Sequence, residues 1–203
     1  MLALRLKSAA VDGDIASLEN QLRGISPDQI DDEGCTPLHY AAWGGALGLC
    51  TILLSRHSVI DPRSYDLQTP LHFAARQGRI NTVQFLLQHG ANVSAVDKYS
   101  FYTFDIAIFS QIQLKKKKKR IKYTPLHMAA EANWGVTGWE GSGGKQNQNA
   151  DVCRVLLDYG ADPMALDSFG RTPLDVATTD DEIRTILRQA FQQSFFFCLF
   201  VCL

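Results

Sequence analysis

The sequence has no cysteine pattern typical of a disulfide framework or of a zinc site. Its five cysteines are odd in number, and no two of them form a CxxC pair. Two of them, Cys50 and Cys153, stand within apolar segments with helical spacing. A secreted disulfide scaffold needs paired cysteines, so this usage favours a reduced protein. We therefore expect a cytoplasmic location, with the nucleus as the alternative.

The chain also has no excess of charge of one sign. It contains 20 basic and 21 acidic residues, for a net charge of -1, and this balance argues against general nucleic-acid binding. One run of basic residues is the exception, because lysine and arginine are as dense in it as in a nuclear import signal. Such a run could also contact anionic lipid or nucleic acid. A solvated loop is the alternative interpretation. The run is Lys115, Lys116, Lys117, Lys118, Lys119 and Arg120.

Long hydrophobic runs are missing as well. The nine apolar residues 195–203 amount to about half of the ~20 that a transmembrane helix requires. Near the other terminus, Arg5 and Lys7 interrupt the apolar residues and leave no room for a secretory signal. We predict no membrane span and assign residues 191–203 to an apolar C-terminal tail. Lysine codons are A-rich and phenylalanine codons T-rich, so translated non-coding sequence is an alternative origin for the lysine run and this tail.

No motif of a catalytic or phosphate-binding site is present. The chain lacks GxSxG and GxxxxGKS/T, and His57 and His89 have no cysteine at ligand spacing. Three other histidines, His39, His72 and His127, recur at one motif position, where the imidazole can bond the neighbouring threonine and the turn. We interpret them as structural. The prediction is a protein without enzymatic activity, cofactor, metal or small-molecule substrate.

A repeated phrase is the strongest positive signal. Residues 36–42, TPLHYAA, return as TPLHFAA at 69–75, as TPLHMAA at 124–130 and, altered, as TPLDVA at 172–177. The first two copies lie 33 residues apart, a period typical of stacked solenoids. These residues resemble the ankyrin repeat over roughly residues 4–190. The resemblance implies an all-α solenoid of paired short helices with β-hairpin fingers.

Each repeat has the chemistry of two short helices. Thr69 can cap the first free amides of a helix, and Pro70 tolerates the first helical position because it has no amide to leave unpaired. Gly78 ends this helix, and Gly90 ends a second one, whose apolar face is formed by Val83, Phe85, Leu86 and Leu87. Each pair of helices can bury its faces only by stacking on its neighbours.

This register predicts about five repeats plus a C-terminal cap, in one domain at residues 1–190. The first repeat covers residues 4–30, the second 31–63 and the third 64–96, while residues 167–190 form an outward-facing cap. A fourth repeat is predicted to begin at 102–107, because Ala107 falls 33 residues after Ala74.

Two of the predicted repeats are irregular. The fourth lacks its second helix, because Lys116, Lys119 and Arg120 occupy positions where apolar residues are needed, so residues 112–122 break the pattern. The fifth carries a glycine-rich surplus at residues 134–148, typical of a flexible loop. Since solenoid stability comes from neighbouring contacts, we expect residues 1–96 to fold more firmly than 98–190.

The resemblance also implies that fingers and inner helices line a concave surface that binds other proteins. We predict a non-catalytic adaptor for a protein partner of unknown identity, with Trp43, Tyr65 and Arg76 as anchors, since aromatic and arginine residues dominate interface energies. For Trp43, packing on its neighbouring finger is the alternative. Other hypotheses are a targeting or regulatory portion of a larger enzyme or channel, and a peripheral membrane adaptor. The candidate partner-binding residues are Asp32, Glu33, Cys35, Tyr40, Trp43, Tyr65, Asp66, Gln68, Phe73, Arg76 and Gln77.

Overall fold

The computed structural model describes residues 26–100, 120–131, 147–177 and 180–201. Within these ranges the chain forms short helices and one antiparallel pair of two-residue strands, in which Tyr99 lies opposite Ile121. The elements are α1 (Pro37–Gly44), α2 (Leu47–Ser55), α3 (Pro70–Arg76), α4 (Ile80–Gln88), β1 (Tyr99–Ser100), β2 (Arg120–Ile121), α5 (Pro125–Ala130), α6 (Asn147–Asp158), α7 (Pro173–Val176) and α8 (Asp181–Val201).

The repeated Thr-Pro phrase begins every odd-numbered helix. In each case the threonine is extended and caps the helix, and the proline occupies the first turn. The third helical residue closes a reciprocal capping box with that threonine, which satisfies amides that the first turn would otherwise leave unpaired. The predicted helix starts are confirmed.

The helices stack in two rows. The inner row is α1, α3, α5 and α7, and the outer row is α2, α4, α6 and α8, with each inner helix packed on the outer helix of its own repeat. Leu38, Leu71 and Leu126 are fully buried at equivalent inner positions, within an apolar cluster that continues from repeat to repeat. This arrangement confirms the all-α solenoid of paired short helices.

A hairpin turn precedes each inner helix. In finger 1 (31–35) the Asp31 N–H donates to the Cys35 carbonyl at 3.0 Å, and finger 2 (64–68) and finger 4 (167–171) repeat this bond at 3.0 and 2.9 Å. Neighbouring fingers are joined as well, since the Tyr65 N–H donates to the Glu33 carbonyl at 3.0 Å. The predicted β-hairpin fingers are therefore present as tight, hydrogen-bonded turns.

Finger 3 (97–123) differs from the others in length. The bond that closes it, from the Asp97 N–H to the Tyr123 carbonyl at 2.9 Å, spans 26 residues, whereas the other fingers close over four. The helices on either side nevertheless stack directly, α3 on α5 and α4 on α6. The extra residues are therefore an insertion within one finger.

This geometry corrects the prediction of a separate fourth repeat. The repeat that begins at Thr124 occupies the place next to the third repeat, and no further helix pair fits between α3 and α5, which are in contact. Residues 102–107 and most of 112–122 lie outside the described residues.

Other predictions concern the remaining gaps and the end of the chain. Residues 1–25, which include most of the first repeat, and residues 134–146 of the predicted surplus lie outside the described residues, and α6 already begins at Asn147. The last helix, α8, continues past the predicted boundary at residue 190 as far as Val201. Among the helices that the structure describes, none is both long and apolar enough to cross a bilayer.

Candidate functional site

Eight of the predicted partner-binding residues lie at or near the surface of fingers 1 and 2 and helices α1 and α3. We call this group the fingertip surface. Its finger residues are exposed, with Tyr65 at 62%, and its helix residues are partly buried. The members are Asp32, Glu33, Tyr65, Asp66, Trp43, Phe73, Arg76 and Gln77.

Three further predicted site residues are buried, and for them the prediction of a surface position is wrong. Cys35 is 3%, Tyr40 2% and Gln68 5% exposed. The Tyr40 hydroxyl donates to the carboxylate of Asp31, and the Gln68 side-chain amide donates to Asp97 Oδ2 at 3.2 Å. Tyr40 thus ties finger 1 to α1, and Gln68 ties finger 2 to finger 3.

The α3 part of the fingertip surface is ordered by aromatic contacts. The Phe73 ring meets His39 edge to face, with centroids 5.2 Å apart. The Arg76 guanidinium lies over the same Phe73 ring, 5.3 Å from its centroid, within the range of a cation–π contact. Trp43 is partly buried, and its carbonyl accepts from Arg79 Nε at 3.2 Å.

Sequence reasoning missed Leu67, which lies at the tip of finger 2. It is 43% exposed and has φ +58°, a left-handed conformation that costs a branched side chain about 1–2 kcal/mol. Gly34 and Gly170 hold the same place in fingers 1 and 4, with φ +74° and +75°. Alignment of the fingers would have identified Leu67, because it replaces a repeated glycine.

Finger 1 supports finger 2 through a close backbone approach. A Cβ on Gly34 would stand 2.7 Å from Tyr65 Cδ1 and 2.8 Å from the Tyr65 nitrogen, so only glycine fits there. Behind finger 2, Arg63 Nη1 donates to the carbonyls of Leu67 at 2.7 Å and Val96 at 2.8 Å. The exposed side chains of finger 2 are therefore carried on a turn that is tied on both sides.

The three repeated histidines have one geometry. Nδ1 of His39 accepts the Thr36 N–H at 3.0 Å, and Nε2 lies 2.9 Å from the Gln68 carbonyl. Nδ1 must therefore be unprotonated and Nε2–H the donor, since a carbonyl can only accept. His72 and His127 bind Tyr123 and Arg171 carbonyls at 3.1 and 3.2 Å in the same way. Each imidazole joins a helix cap to the next finger, which confirms the structural interpretation.

Burial sets the proton affinity of these groups. It lowers the pKa of His39 to about 4 and that of His72 to about 3, and it also lowers the pKa of His127, because a buried imidazolium loses its hydration. Burial raises the pKa values of the Cys50 and Cys153 thiols to about 12, and thiols of this kind are poor nucleophiles. Across the described ranges, no three His, Cys, Asp or Glu residues are grouped to hold a metal ion.

The predicted lysine run cannot be placed on this surface. Residues 115–119 of the lysine run lie outside the described residues, and Arg120 lies in β2, at the base of the insertion in finger 3. Finger 4, which is not among the predicted site segments, exposes Phe169 at 49%, and Leu166, directly before this finger, is 63% exposed. The Arg171 guanidinium lies 5.2 Å from the Phe169 centroid.

Comparison with known families agrees with this architecture. A family model described as "Ankyrin repeats (3 copies)" matches residues 6–97, and one described as "Ankyrin repeat" matches residues 122–168. The chain belongs to the ankyrin-repeat family. The first match ends and the second begins at the two sides of finger 3, where Asp97 pairs with Tyr123. Ankyrin repeats are non-catalytic modules of protein–protein interaction, and stacked repeats offer extended binding surfaces.

Three human relatives show how widely this module is used. The chain is 48% identical over 68 residues to transient receptor potential cation channel subfamily A member 1, covering 34% of this chain and 6% of the channel. It is 39% identical over 85 residues to palmitoyltransferase ZDHHC13, covering 41% and 14%. It is 28% identical over 174 residues to ankyrin repeat and SOCS box protein 3, covering 83% and 33%. The chain thus spans a third or less of each of these relatives.

Proposed function

We propose that this chain is a non-catalytic adaptor that binds a protein partner through the fingertip surface. The observation that carries this proposal is finger 2, where Tyr65 is 62% and Leu67 43% exposed on a turn held by hydrogen bonds from both sides. Exposed aromatic and aliphatic groups on a rigid support suit an interface, because little conformational entropy is lost when they are buried.

The anchors are Trp43, Tyr65 and Arg76. Aromatic and arginine side chains contribute most to interface energies when they are buried by a partner. Tyr65 is already exposed, and Arg76 is pre-ordered over Phe73. A partner that covers fingers 1 and 2 would remove these groups from water without a rearrangement of the backbone.

An affinity pull-down from cells tests the proposal. The intact chain is compared with a Trp43→Ala, Tyr65→Ala, Arg76→Ala variant and with a purely exposed Tyr65→Ala, Leu67→Gly variant. The matched control is Tyr159→Ala, Arg188→Ala, since both residues are exposed, Tyr159 directly after α6 and Arg188 on α8. All four proteins must first give the same helical circular-dichroism signal.

We expect partners to be lost with both fingertip variants and retained with the control. If the captured proteins are the same in all four samples, the fingertip surface is not the binding site. The lysine run at residues 115–120 and the glycine-rich segment at 134–148 would then be the next candidates.

A second candidate function is the targeting or regulatory portion of a larger enzyme or channel. The relatives favour it, because the matched channel and palmitoyltransferase are many times longer than the segment they share with this chain. Full-length transcript sequencing tests this idea. A reading frame that continues after Arg188 into a further repeat would support it, and a stop soon after the final helix would support the adaptor.

A further inference from the structure

Helix α8 is longer than α2, α4 and α6. It has 21 residues, whereas α2 and α4 have nine and α6 has 12. Each of the shorter helices is followed two residues later by a left-handed φ, at His57 (+63°), Gly90 (+89°) and Gly160 (+85°). Residues 171–203 contain no glycine. Helix α8 therefore lacks the usual stop and continues to Val201.

The extension of α8 changes from polar to apolar along its length. Among its described side chains, 181–194, Leu187 is the last that belongs to the apolar core. Gln192 and Gln193 are exposed, and residues 195–201 are then all apolar, with the sequence FFFCLFV. Seven helical residues make about two turns, so this apolar end of α8 has no polar face. A helix that is apolar all round is typical of segments buried on every side.

The charges beside the apolar end are positive. Residues 183–203 contain two arginines and no acidic residue, although the whole chain has a net charge of -1. Asp180 and Asp181 lie about one turn before Arg184, but Arg188 has no acidic residue in the turn on either side of it along α8. Arg188 is exposed, and it forms no ion pair within the part of the chain that the structure describes.

These two features together favour lipid over protein as the surroundings of the apolar end. A second copy of the chain would cover only the face of the helix turned toward it, whereas acyl chains cover every face. Anionic headgroups also attract basic residues next to an apolar helix.

We propose that the apolar end of α8 inserts into the surface of a membrane that contains anionic lipid. Its length of about 10 Å is less than the ~15 Å of hydrocarbon in one leaflet, so it enters one leaflet only, with Arg188 among the headgroups. The fingertip surface lies on other elements, and the inference does not rest on it. The proposed adaptor would thus act at a lipid surface.

Co-sedimentation of the full chain with phosphatidylcholine vesicles, with and without phosphatidylserine, tests the proposal. We expect the variant Phe196→Gln, Phe197→Gln, Phe200→Gln to bind both kinds of vesicle about tenfold more weakly or less, because glutamine keeps helix propensity but does not enter hydrocarbon. Arg188→Gln should weaken binding about fivefold on phosphatidylserine vesicles and leave binding to pure phosphatidylcholine unchanged.

The matched control removes three exposed apolar side chains outside α8 and should bind vesicles like the intact chain. It is Val59→Gln, Met164→Gln, Leu166→Gln. A loss as large as that of the phenylalanine variant would mean general adsorption of apolar surface and would overturn the inference. Equal binding by the intact chain and the phenylalanine variant would overturn it as well, and the lysine run would become the candidate for lipid binding.

Sedimentation equilibrium without lipid examines the second copy. We expect no self-association that depends on the apolar end. A dimer that the phenylalanine substitutions abolish, in a chain that binds vesicles no better than the variant, would assign this helix end to a second copy. Vesicle binding should persist in the fingertip variants, so failure of the adaptor function and failure of this inference are separate results.

Discussion

At the scale of single residues, the repeated histidines do the same work in three places. Nδ1 accepts a backbone N–H and Nε2–H donates to a carbonyl of the next finger. A protonated imidazole would direct a second N–H at the threonine amide, and it would also be a buried cation. Neutral imidazole is therefore a condition of the fold.

This condition predicts acid sensitivity. The pKa values of His39 and His72 are about 4 and 3 in the fold against about 6.5 when unfolded, so the unfolded chain binds more protons between these values. The contribution of the neutral histidines to the free energy of unfolding should be complete above pH 6.5. The free energy of unfolding should then fall as the pH drops from 6.5 toward 4, by up to about 1.4 kcal/mol per pH unit for each histidine. Urea unfolding at pH 7, 6 and 5 measures this slope.

The matched variant is His72→Gln. It should be less stable at pH 7, because the bond from His72 to the Tyr123 carbonyl is lost or weakened. Its stability should also depend less steeply on pH. If the variant and the intact chain have parallel pH profiles, His72 is not a source of the acid sensitivity.

Replacing two residues of positive φ with glycine should raise the stability of the fold. Leu67 and His57 have φ +58° and +63° and are exposed, so Leu67→Gly and His57→Gly should each raise the free energy of unfolding by up to about 1 kcal/mol, after the entropic cost of glycine. Gly34→Ala is the opposite case, since its Cβ would overlap Tyr65, and it should destabilise by more than about 1 kcal/mol. Chemical denaturation of the three variants checks both signs.

At the scale of elements, finger 3 shows how a solenoid accepts an insertion. Its base is closed twice, by the Asp97 N–H to the Tyr123 carbonyl at 2.9 Å and by the Tyr123 N–H to Asp97 Oδ1 at 2.7 Å. The His72 imidazole holds the same carbonyl from the helix side. These bonds fix the two ends of the insertion in the positions that an ordinary finger would give them.

Removal of the insertion should therefore leave the stack intact. Because Ser100 lies opposite Arg120, residues 101–119 can be replaced by Asn-Gly, which suits a two-residue hairpin turn. We expect an unchanged or higher free energy of unfolding, by up to about 2 kcal/mol, because closing a shorter loop costs less entropy. Calorimetry of the shortened chain provides the measurement.

The comparison variant for this experiment is Asp97→Ala. It removes the buried acceptor for the Tyr123 amide and should cost about 1–3 kcal/mol. A shortened chain as unstable as the Asp97 variant, or one that melts over a broad range, would mean that residues 101–119 are part of the stack.

At the scale of the whole molecule, the direct stacking of α4 on α6 removes the reason for expecting two uncoupled blocks. That expectation assumed a repeat without its outer helix between α4 and α5, whereas α3 packs directly on α5 and α4 on α6. Because solenoid stability passes through neighbouring contacts, we now expect α3 to α6 to unfold together. Hydrogen exchange should give similar protection in α3, α4, α5 and α6, and a sharp drop after α4 would favour the original view.

The sequence by itself determined the helix starts, the stacking and the role of the histidines. Thr-Pro caps, small alanines and apolar positions act within one repeat, so their local pattern repeats at a spacing that can be read directly. The eight surface positions of the candidate site followed from the same register. Their role in binding stays a prediction.

Only the tertiary structure decided which finger residues are buried and how repeats three and four meet. Tyr40 and Gln68 are buried because acceptors on other segments reach them, and the link from Asp97 to Tyr123 joins residues 26 apart. Such contacts leave no periodic trace in the chain. Leu67 belongs partly to each group. Its position in the finger could be read from the sequence, while its exposure and positive φ are properties of the folded turn.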